Sequence, residues 1–235
     1  MPNMKLKTTS LAALAAITLA GSASAAVLLN TGFETDAITT NNSSNITPDS
    51  WTGYASDAKY VADGTAFAGI SGGHTSDQYF LAYVNYLTLD SQIRQDSTLL
   101  WSSFTVGDSL TVSAWTTYRS DVNGAGDTYF TLNATDAADL LKSGAMNVTT
   151  DAVAGAWTLR TWNYTITQAT LDTAAANNWG AVEVGLGLKY TGTQGVINDQ
   201  QVVFDDVSLV HTAIPEPSAA LLGGLGMLCL LRRRR

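Results

Sequence analysis

Histidine and cysteine, the side chains most used in metal and nucleophilic chemistry, are scarce in this sequence. His74 and His211 are the only histidines among its 235 residues, and there is one cysteine. A histidine-rich metal centre is therefore excluded. A hydrolytic triad would have to use His74, in the flexible stretch 71–74, and no serine nucleophile elbow accompanies it. We expect His74 to be a solvated loop residue.

Carboxylates are the abundant reactive groups. Nineteen acidic residues lie between Glu34 and Asp206. A pair of them, one acid and one base, is the machinery of glycoside hydrolysis, so a secreted polysaccharide hydrolase stays open as an alternative. Glu34 has a structural interpretation, given below, and Glu183 alternates outward on a predicted strand. The sequence therefore favours a non-catalytic protein.

The charged residues are unevenly distributed along the chain. Of its 12 basic residues, Lys5, Lys7 and the four arginines 232–235 lie at the two ends. The body between them carries six basic against 19 acidic residues, a net charge of −13. Such a body repels nucleic acid and anionic membranes and attracts divalent cations. We therefore expect no nucleic-acid partner.

The first 25 residues have the three parts of a secretory signal peptide. Lys5 and Lys7 precede an apolar run, residues 11–20, and Ala23-Ser24-Ala25 places small residues at both positions that signal peptidase inspects. The apolar run is too short to span a bilayer permanently. We expect signal peptidase to cleave after Ala25 or one residue later.

Residues 214–235 combine a proline-flanked glutamate, an apolar run and a basic cluster. Pro215, Glu216 and Pro217 break a preceding strand and hold the backbone extended, within reach of another protein. The uncharged run 218–231 makes a helix of about 21 Å, against a hydrocarbon core of roughly 30 Å. Snorkelling of the terminal arginines narrows that gap. By the positive-inside rule, the four arginines also place the C terminus in the cytoplasm. We expect a single transmembrane helix with the body outside.

This tail resembles the PEP-CTERM sorting signal of bacterial surface proteins, and its motif Pro215-Glu216-Pro217 is complete. The resemblance implies that an exosortase recognises the tripeptide and processes the chain near it. It also implies a Gram-negative bacterium that secretes exopolysaccharide and forms biofilm. A plain C-terminal membrane anchor is the alternative.

Apolar and polar residues alternate along the body, residues 26–213. The alternation is clearest over 182–189 and 110–114, as in half-buried strands, and turn residues separate many short segments of this kind. We predict a β-sandwich. Asp136–Met146 and Thr170–Asn177 are predicted to be short helices that decorate its loops.

Three segments of the body are similar to the galactose-binding-like jelly-roll group, which includes carbohydrate-binding modules of bacterial polysaccharidases. Leu29–Glu34, followed by Trp51, resembles that group's first strand and tryptophan. Gly155–Arg160 resembles its mid-chain tryptophan strand, and Val203–Leu209 resembles its last strand. The resemblance implies an all-β jelly roll over residues 26–213.

In that group an opening glutamate and closing aspartates often surround a structural calcium ion, which here implies Glu34, Asp205 and Asp206 as ligands. Asp205 is expected to share a strand face with Val207 and Leu209, so its carboxylate would need a partner in a body poor in cations. A hard divalent ion satisfies that need. The alternative is that both aspartates flank a bulge and face water or backbone amides.

Glycan binding in such modules uses exposed aromatic rings that stack on sugars. The aromatic residues considered for this role are Trp51, Tyr54, Tyr83, Tyr86, Trp115, Tyr118 and Trp179. Packing in the core is the competing explanation for each, and it is the stronger one for Trp51, Trp101, Trp115 and Trp157, which occupy strand-like positions. Tyr118 and Trp179 adjoin turn residues, so with Tyr54 they form the predicted glycan-binding set.

The sequence thus predicts an exported surface or extracellular-matrix protein: a signal peptide (1–25), a β-sandwich (26–213) and a sorting tail (214–235). Its expected partners are signal peptidase and exosortase during export, the inner membrane before processing, and exopolysaccharide. A structural matrix protein without specific glycan binding is the first alternative to this function.

Overall fold

A computed structural model describes residues 23–35, 43–44, 47–54, 58–63, 69–70, 72–75, 77–84, 87, 89–119, 126–134, 141–147, 155–192 and 200–214. Ala23–Ala213 form one compact unit, which is built mainly from antiparallel strands. The motif Pro215-Glu216-Pro217, the apolar run 218–231 and the signal segment 1–22 lie outside the described residues.

The first sheet, sheet A, has the strand order β11-β7-β13-β5-β4-β2, and β1 also pairs with β13. All of these pairings are antiparallel. Its strands are β1 (Ala23–Ala25), β2 (Ser43–Ser44), β4 (Ala58–Asp63), β5 (Gln78–Val84), β7 (Ser109–Thr117), β11 (Thr158–Thr165) and β13 (Gln200–Thr212).

The second sheet, sheet B, has the order β10-β8-β12-β6-β3, with β9 also pairing with β8. These strands too are antiparallel. They are β3 (Thr52–Tyr54), β6 (Asp90–Leu100), β8 (Asp127–Ala134), β9 (Leu141–Lys142), β10 (Met146–Asn147) and β12 (Ala181–Lys189). A 3-10 turn, Trp101–Ser103, follows β6, and helix α1, Gln168–Ala176, lies between β11 and β12.

The main core lies between the inner faces of the two sheets. Val182, Val184, Leu186 and Leu188 of β12 are fully buried in it, as are the alternate residues of β7 beginning at Leu110. Since side chains on a strand point alternately to its two faces, this is the pattern that the sequence indicated. The predicted β-sandwich is confirmed.

One of the two predicted helices is confirmed. The other is wrong over the part of its range that the structure describes. The segment predicted as Thr170–Asn177 is α1, and the Thr167 hydroxyl caps it by accepting from the Thr170 N–H at 3.2 Å. In the segment predicted as Asp136–Met146, residues 141–142 and Met146 instead belong to β9 and β10. Both pair with β8, so sheet hydrogen bonds override the local helix propensity.

Strand β1 consists of residues that the sequence places at the end of the signal peptide. Ala23–Ala25 pair with Val210–Thr212 of β13, and the Ala26 N–H donates to the Leu209 carbonyl at 2.9 Å. Cleavage after Ala25 would remove β1 and leave the Ala26 hydrogen bond in place. Within the described residues, the helices are too short or too polar to cross a bilayer.

Candidate functional site

A cavity of about 440 Å³ lies between the turn after β6 and helix α1. We call it the aromatic pocket. Its described lining residues are Trp101, Ser102, Phe104, Leu171, Ala174, Ala175, Asn178 and Trp179. Ser102, Ala175 and Asn178 are exposed, so the cavity opens to solvent between them. Pockets that combine aromatic walls with a few polar groups are typical of small-molecule and sugar sites.

The floor of the pocket is a fixed tryptophan. Trp101 is only 1% exposed, and its indole N–H donates to the Asn133 carbonyl at 3.0 Å. Its backbone N–H donates to the Gly180 carbonyl at 3.0 Å, which ties the turn to the start of β12. The Phe104 ring packs edge-on against Trp101, with ring centroids 5.7 Å apart. These contacts hold the floor rigid.

The wall of the pocket is Trp179, which follows α1. Asn178 adopts a left-handed conformation with φ 52°, and this ends the helix. The Trp179 N–H then donates back to the Ala174 carbonyl at 2.9 Å. The indole lies 5.1 Å from that of Trp101, centroid to centroid, at 62°, and it remains partly exposed. The helix end therefore presents a fixed, partly exposed aromatic ring.

The pocket contains one of the three residues predicted to bind glycan. Trp179 lines it, as described. Tyr118 does not line it; this residue is half-buried, packs against the main core and accepts a hydrogen bond from the Gly155 N–H at its carbonyl. Tyr54 ends β3, and its side chain lies outside what the structure describes. The sequence interpretation placed Trp101 in the core, which is correct, but missed that it also floors a cavity.

The three predicted metal ligands are arranged around a bulge in β13. Asp205 pairs with Trp115 and Ser208 pairs with Ser113, so three steps along β13 match two along β7. Asp206 accommodates the extra residue in a left-handed conformation, φ 46°. The alternative interpretation of the two aspartates, that they flank a bulge, is the observed one.

Because of the bulge, the Asp205 side chain lies on the opposite face of sheet A from the one predicted. Val207 and Leu209 belong to the main core, whereas Val203 belongs to a second cluster on the outer face of sheet A. Asp205, two residues after Val203, follows it to that outer face. The prediction that Asp205 shares a face with Val207 and Leu209 is wrong, because the extra residue reverses the alternation.

Backbone amides satisfy the buried carboxylate. Asp205 is fully buried; its Oδ2 accepts from the His74 N–H at 2.6 Å and its Oδ1 from the Asp206 N–H at 2.8 Å. Burial raises the pKa of Asp205 to about 7, and the charges of Asp206 and Glu34 add to this effect, while the two backbone hydrogen bonds oppose it. Glu34 accepts from the Gln78 N–H at 2.6 Å through Oε1.

His74 is part of this cluster, so its prediction as a solvated loop residue is wrong. Its Nδ1 lies 2.8 Å from Oδ2 of Asp206, and the Thr75 hydroxyl donates to the same carboxylate at 2.8 Å. Its ring stacks on that of Trp115. Trp115 and Asp206 are 41 and 132 residues away from His74 in the sequence, so no local pattern could have revealed these contacts.

The geometry gives the calcium prediction no added support. Each of Glu34, Asp205 and Asp206 accepts a hydrogen bond from a protein donor. Within the described ranges, no group of three or more His, Cys, Asp or Glu side chains is placed to hold a metal ion. Calcium binding at these residues stays a prediction from the family resemblance.

The carboxylate of Glu183 is engaged in an ion pair. Glu183 faces away from the main core, as predicted, but it is buried on the outer face of sheet B. Arg94, 1% exposed, donates from Nη1 to its Oε1 at 3.3 Å and donates two further bonds to Gln92. A buried pair of this kind is structural in the first instance, because each charge stabilises the other where water is largely excluded.

The expectation that no serine elbow accompanies His74 overlooked residues 69–73, which match the G-x-S-x-G spacing of that motif, but their structural context differs from it. In that motif the serine lies between a strand and a helix. Here the chain continues through His74 into strand β5. Ser71 itself lies outside the described residues.

No family model and no curated protein sequence matches the chain. Among solved structures, it is similar to the Stig cyclase Fisc from Fischerella sp. TAU, with 13% identity and a TM-score of 0.61 over 83% of this chain and 100% of that one. It is less closely similar to the CBM22-1 xylan-binding domain of Paenibacillus barcinonensis Xyn10C, with 10% identity and a TM-score of 0.44 over 83% and 98% of the two chains. At 13% identity the likeness to the Stig cyclase is one of fold alone.

Proposed function

We propose that this chain is a non-catalytic, glycan-binding module with a jelly-roll β-sandwich, and that the aromatic pocket is its binding site. The observation that carries the proposal is the partly exposed indole of Trp179, fixed beside Trp101 in a cavity with Ser102 and Asn178 at its opening. Sugar rings present C–H faces that pack on indole, and the hydroxyl and amide at the opening can pair with sugar hydroxyls.

The proposed site of action is the cell surface or extracellular matrix of a Gram-negative bacterium. Support for this comes from the sequence alone, where signal segment, Pro215–Pro217, apolar run and arginines follow one another in the required order. In this proposal signal peptidase and exosortase process the chain at the inner membrane, and the body then associates with exopolysaccharide.

Glycan binding is tested by retention of the full-length chain on the producer's own exopolysaccharide. The Trp179→Ala variant should lose retention, whereas Trp157→Ala should keep it, since Trp157 is another partly buried tryptophan that does not line the pocket. Equal retention of Trp179→Ala and wild type would remove the site. No retention of the wild-type chain would favour a structural matrix protein that binds no specific glycan.

Sorting is tested in cells with the variant Glu216→Ala. The proposal expects the unprocessed chain to accumulate in the inner membrane, because the tripeptide that exosortase recognises is no longer complete. Normal processing of this variant would reduce the tail to a plain membrane anchor.

A further inference from the structure

We propose that the aromatic pocket binds a neutral glycan through a sugar bearing an apolar substituent, and that it rejects acidic sugars. This inference rests on the proposed function and narrows its ligand. It follows from two features of the pocket: the absence of charge in its described lining, and the apolar surface of its partly exposed residues.

The described lining of the pocket is uncharged. Its residues are tryptophan, phenylalanine, leucine, alanine, serine and asparagine. A uronate bound among them would have its carboxylate partly desolvated without a cation, which is costly. The strongly acidic body, with a net charge of −13, adds a repulsive field.

Helix α1 lines the pocket along its side. Leu171, Ala174, Ala175 and Asn178 lie three or four residues apart, so they share one face of the helix and the residue that ends it. None of them is charged, and the last turn of α1 contains no basic residue. The helix therefore brings no cation to the lining that could pair with an acidic sugar.

The surface that the pocket offers to a ligand is mainly apolar. Leu171 and Trp179 are partly exposed and Ala175 is exposed, whereas Trp101, Phe104 and Ala174 behind them are no more than 6% exposed. The accessible carbon surfaces can bury a methyl group, such as that of an acetamido or 6-deoxy sugar.

The test measures binding of the full-length chain to immobilised oligosaccharides that end in N-acetylglucosamine, rhamnose, glucose or glucuronate. We expect retention on the first two, weaker retention on glucose and none on glucuronate. Trp179→Ala should reduce the affinity for the retained probes about tenfold or more, as loss of a central aromatic contact does.

A charge placed in the pocket provides the matched control. Ala175 lines the pocket and Ala176, its neighbour on α1, does not; both are exposed. Ala175→Lys should admit glucuronate, whereas Ala176→Lys should leave the preference unchanged. Since a lysine near a helix C terminus is favourable, neither variant should unfold the protein.

Two different failures are distinguishable. If Trp179→Ala abolishes binding but the wild type prefers glucuronate, the pocket binds glycan and this inference about its ligand is wrong. If no probe and no exopolysaccharide binds, or Trp179→Ala binds as well as wild type, the proposed function itself fails.

Discussion

The imidazole ring of His74 lies flat on the indole ring of Trp115, with centroids 3.7 Å apart and planes inclined by 13°. The Nδ1 atom of the same imidazole lies 2.8 Å from Oδ2 of Asp206, within hydrogen-bond distance. The His74 N–H donates to Asp205. One residue thereby fixes the segment before β5 to the bulge of β13.

Removing the His74 side chain should therefore destabilise the sandwich. His74→Ala loses a charge-assisted hydrogen bond and a stacked ring, so we expect the free energy of unfolding to fall by about 1–3 kcal/mol. Urea denaturation followed by tryptophan fluorescence measures the change. His74→Phe keeps the stacking alone and should recover part of the loss. An Ala variant as stable as wild type would show that the segment is not held by this contact.

The buried carboxyl of Asp205 should make stability depend on pH. Its pKa, raised to about 7 by burial from an ordinary 3.8, means that the folded state keeps a proton that the unfolded state releases between these values. The free energy of unfolding should therefore fall as pH rises across this window, by at most about 1.4 kcal/mol per pH unit, and level off above it.

The control for this pH effect is Asp205→Asn, which stays uncharged at every pH. Urea midpoints of both proteins, measured with EDTA between about pH 4.5 and pH 6.5, isolate the contribution of this carboxyl by difference. Parallel pH profiles for the two proteins would contradict the raised pKa.

The alternation of apolar and polar residues correctly predicted which side chains face the core in regularly paired strands. It predicted the wrong face where a bulge interrupts the pairing. In β12, Val182, Val184, Leu186 and Leu188 alternate with other residues in the sequence, and the structure places all four in the main core. In β13 the extra residue at Asp206 reverses the pattern, and a left-handed aspartate leaves no reliable mark in the sequence. The face of Asp205 was therefore wrongly predicted.

Only one wall of the aromatic pocket could be predicted, because the pocket depends on contacts between residues that are distant in sequence. Trp179 adjoins turn residues, which indicated exposure. Its partner Trp101 lies 78 residues earlier and reads as a core tryptophan. Their approach depends on how α1 packs beside the turn after β6, a tertiary relationship that local spacing does not encode.

Truncating Glu183 should lower the stability of the folded protein. Glu183→Ala removes the carboxylate that pairs with the buried Arg94 guanidinium, so we expect the free energy of unfolding to fall by about 3–5 kcal/mol. Equilibrium unfolding in urea measures it. Loss of any polysaccharide turnover in this variant would therefore not identify a catalytic acid.

A double-mutant cycle separates the ion pair from packing. Arg94→Met combined with Glu183→Ala removes both charges, so the double variant should be more stable than the sum of the single losses predicts. Strict additivity would mean that the two side chains do not depend on each other.

Chelation tests the metal prediction at Glu34, Asp205 and Asp206. If calcium binds these carboxylates as the family resemblance implies, EDTA should lower the Tm, and an unchanged Tm would remove the site. A ligand that binds only the folded state raises stability, so a Tm that falls with EDTA and recovers with added calcium would establish the ion that the family resemblance implies.

Two glycines, one inside strand β12 and one just before it, should respond differently to an added methyl group. A Cβ on Gly187, in β12, would overlap carbons of the Tyr129 ring. That ring cannot move freely, since its hydroxyl donates to Asp90 and the Lys142 ammonium lies 3.1 Å from its centroid. Gly187→Ala should therefore cost about 1–3 kcal/mol of unfolding free energy, as overpacking does.

The matched variant is Gly180→Ala, one residue before β12, where an added Cβ meets no atom within 4 Å. It should change the free energy of unfolding by less than about 0.5 kcal/mol, as substitutions in open positions do. Thermal and urea unfolding of the two variants compare a crowded outer face of sheet B with an open strand end. Equal stabilities would mean that Tyr129 relaxes away from β12, and that the buried polar layer on this face is looser than its contacts indicate.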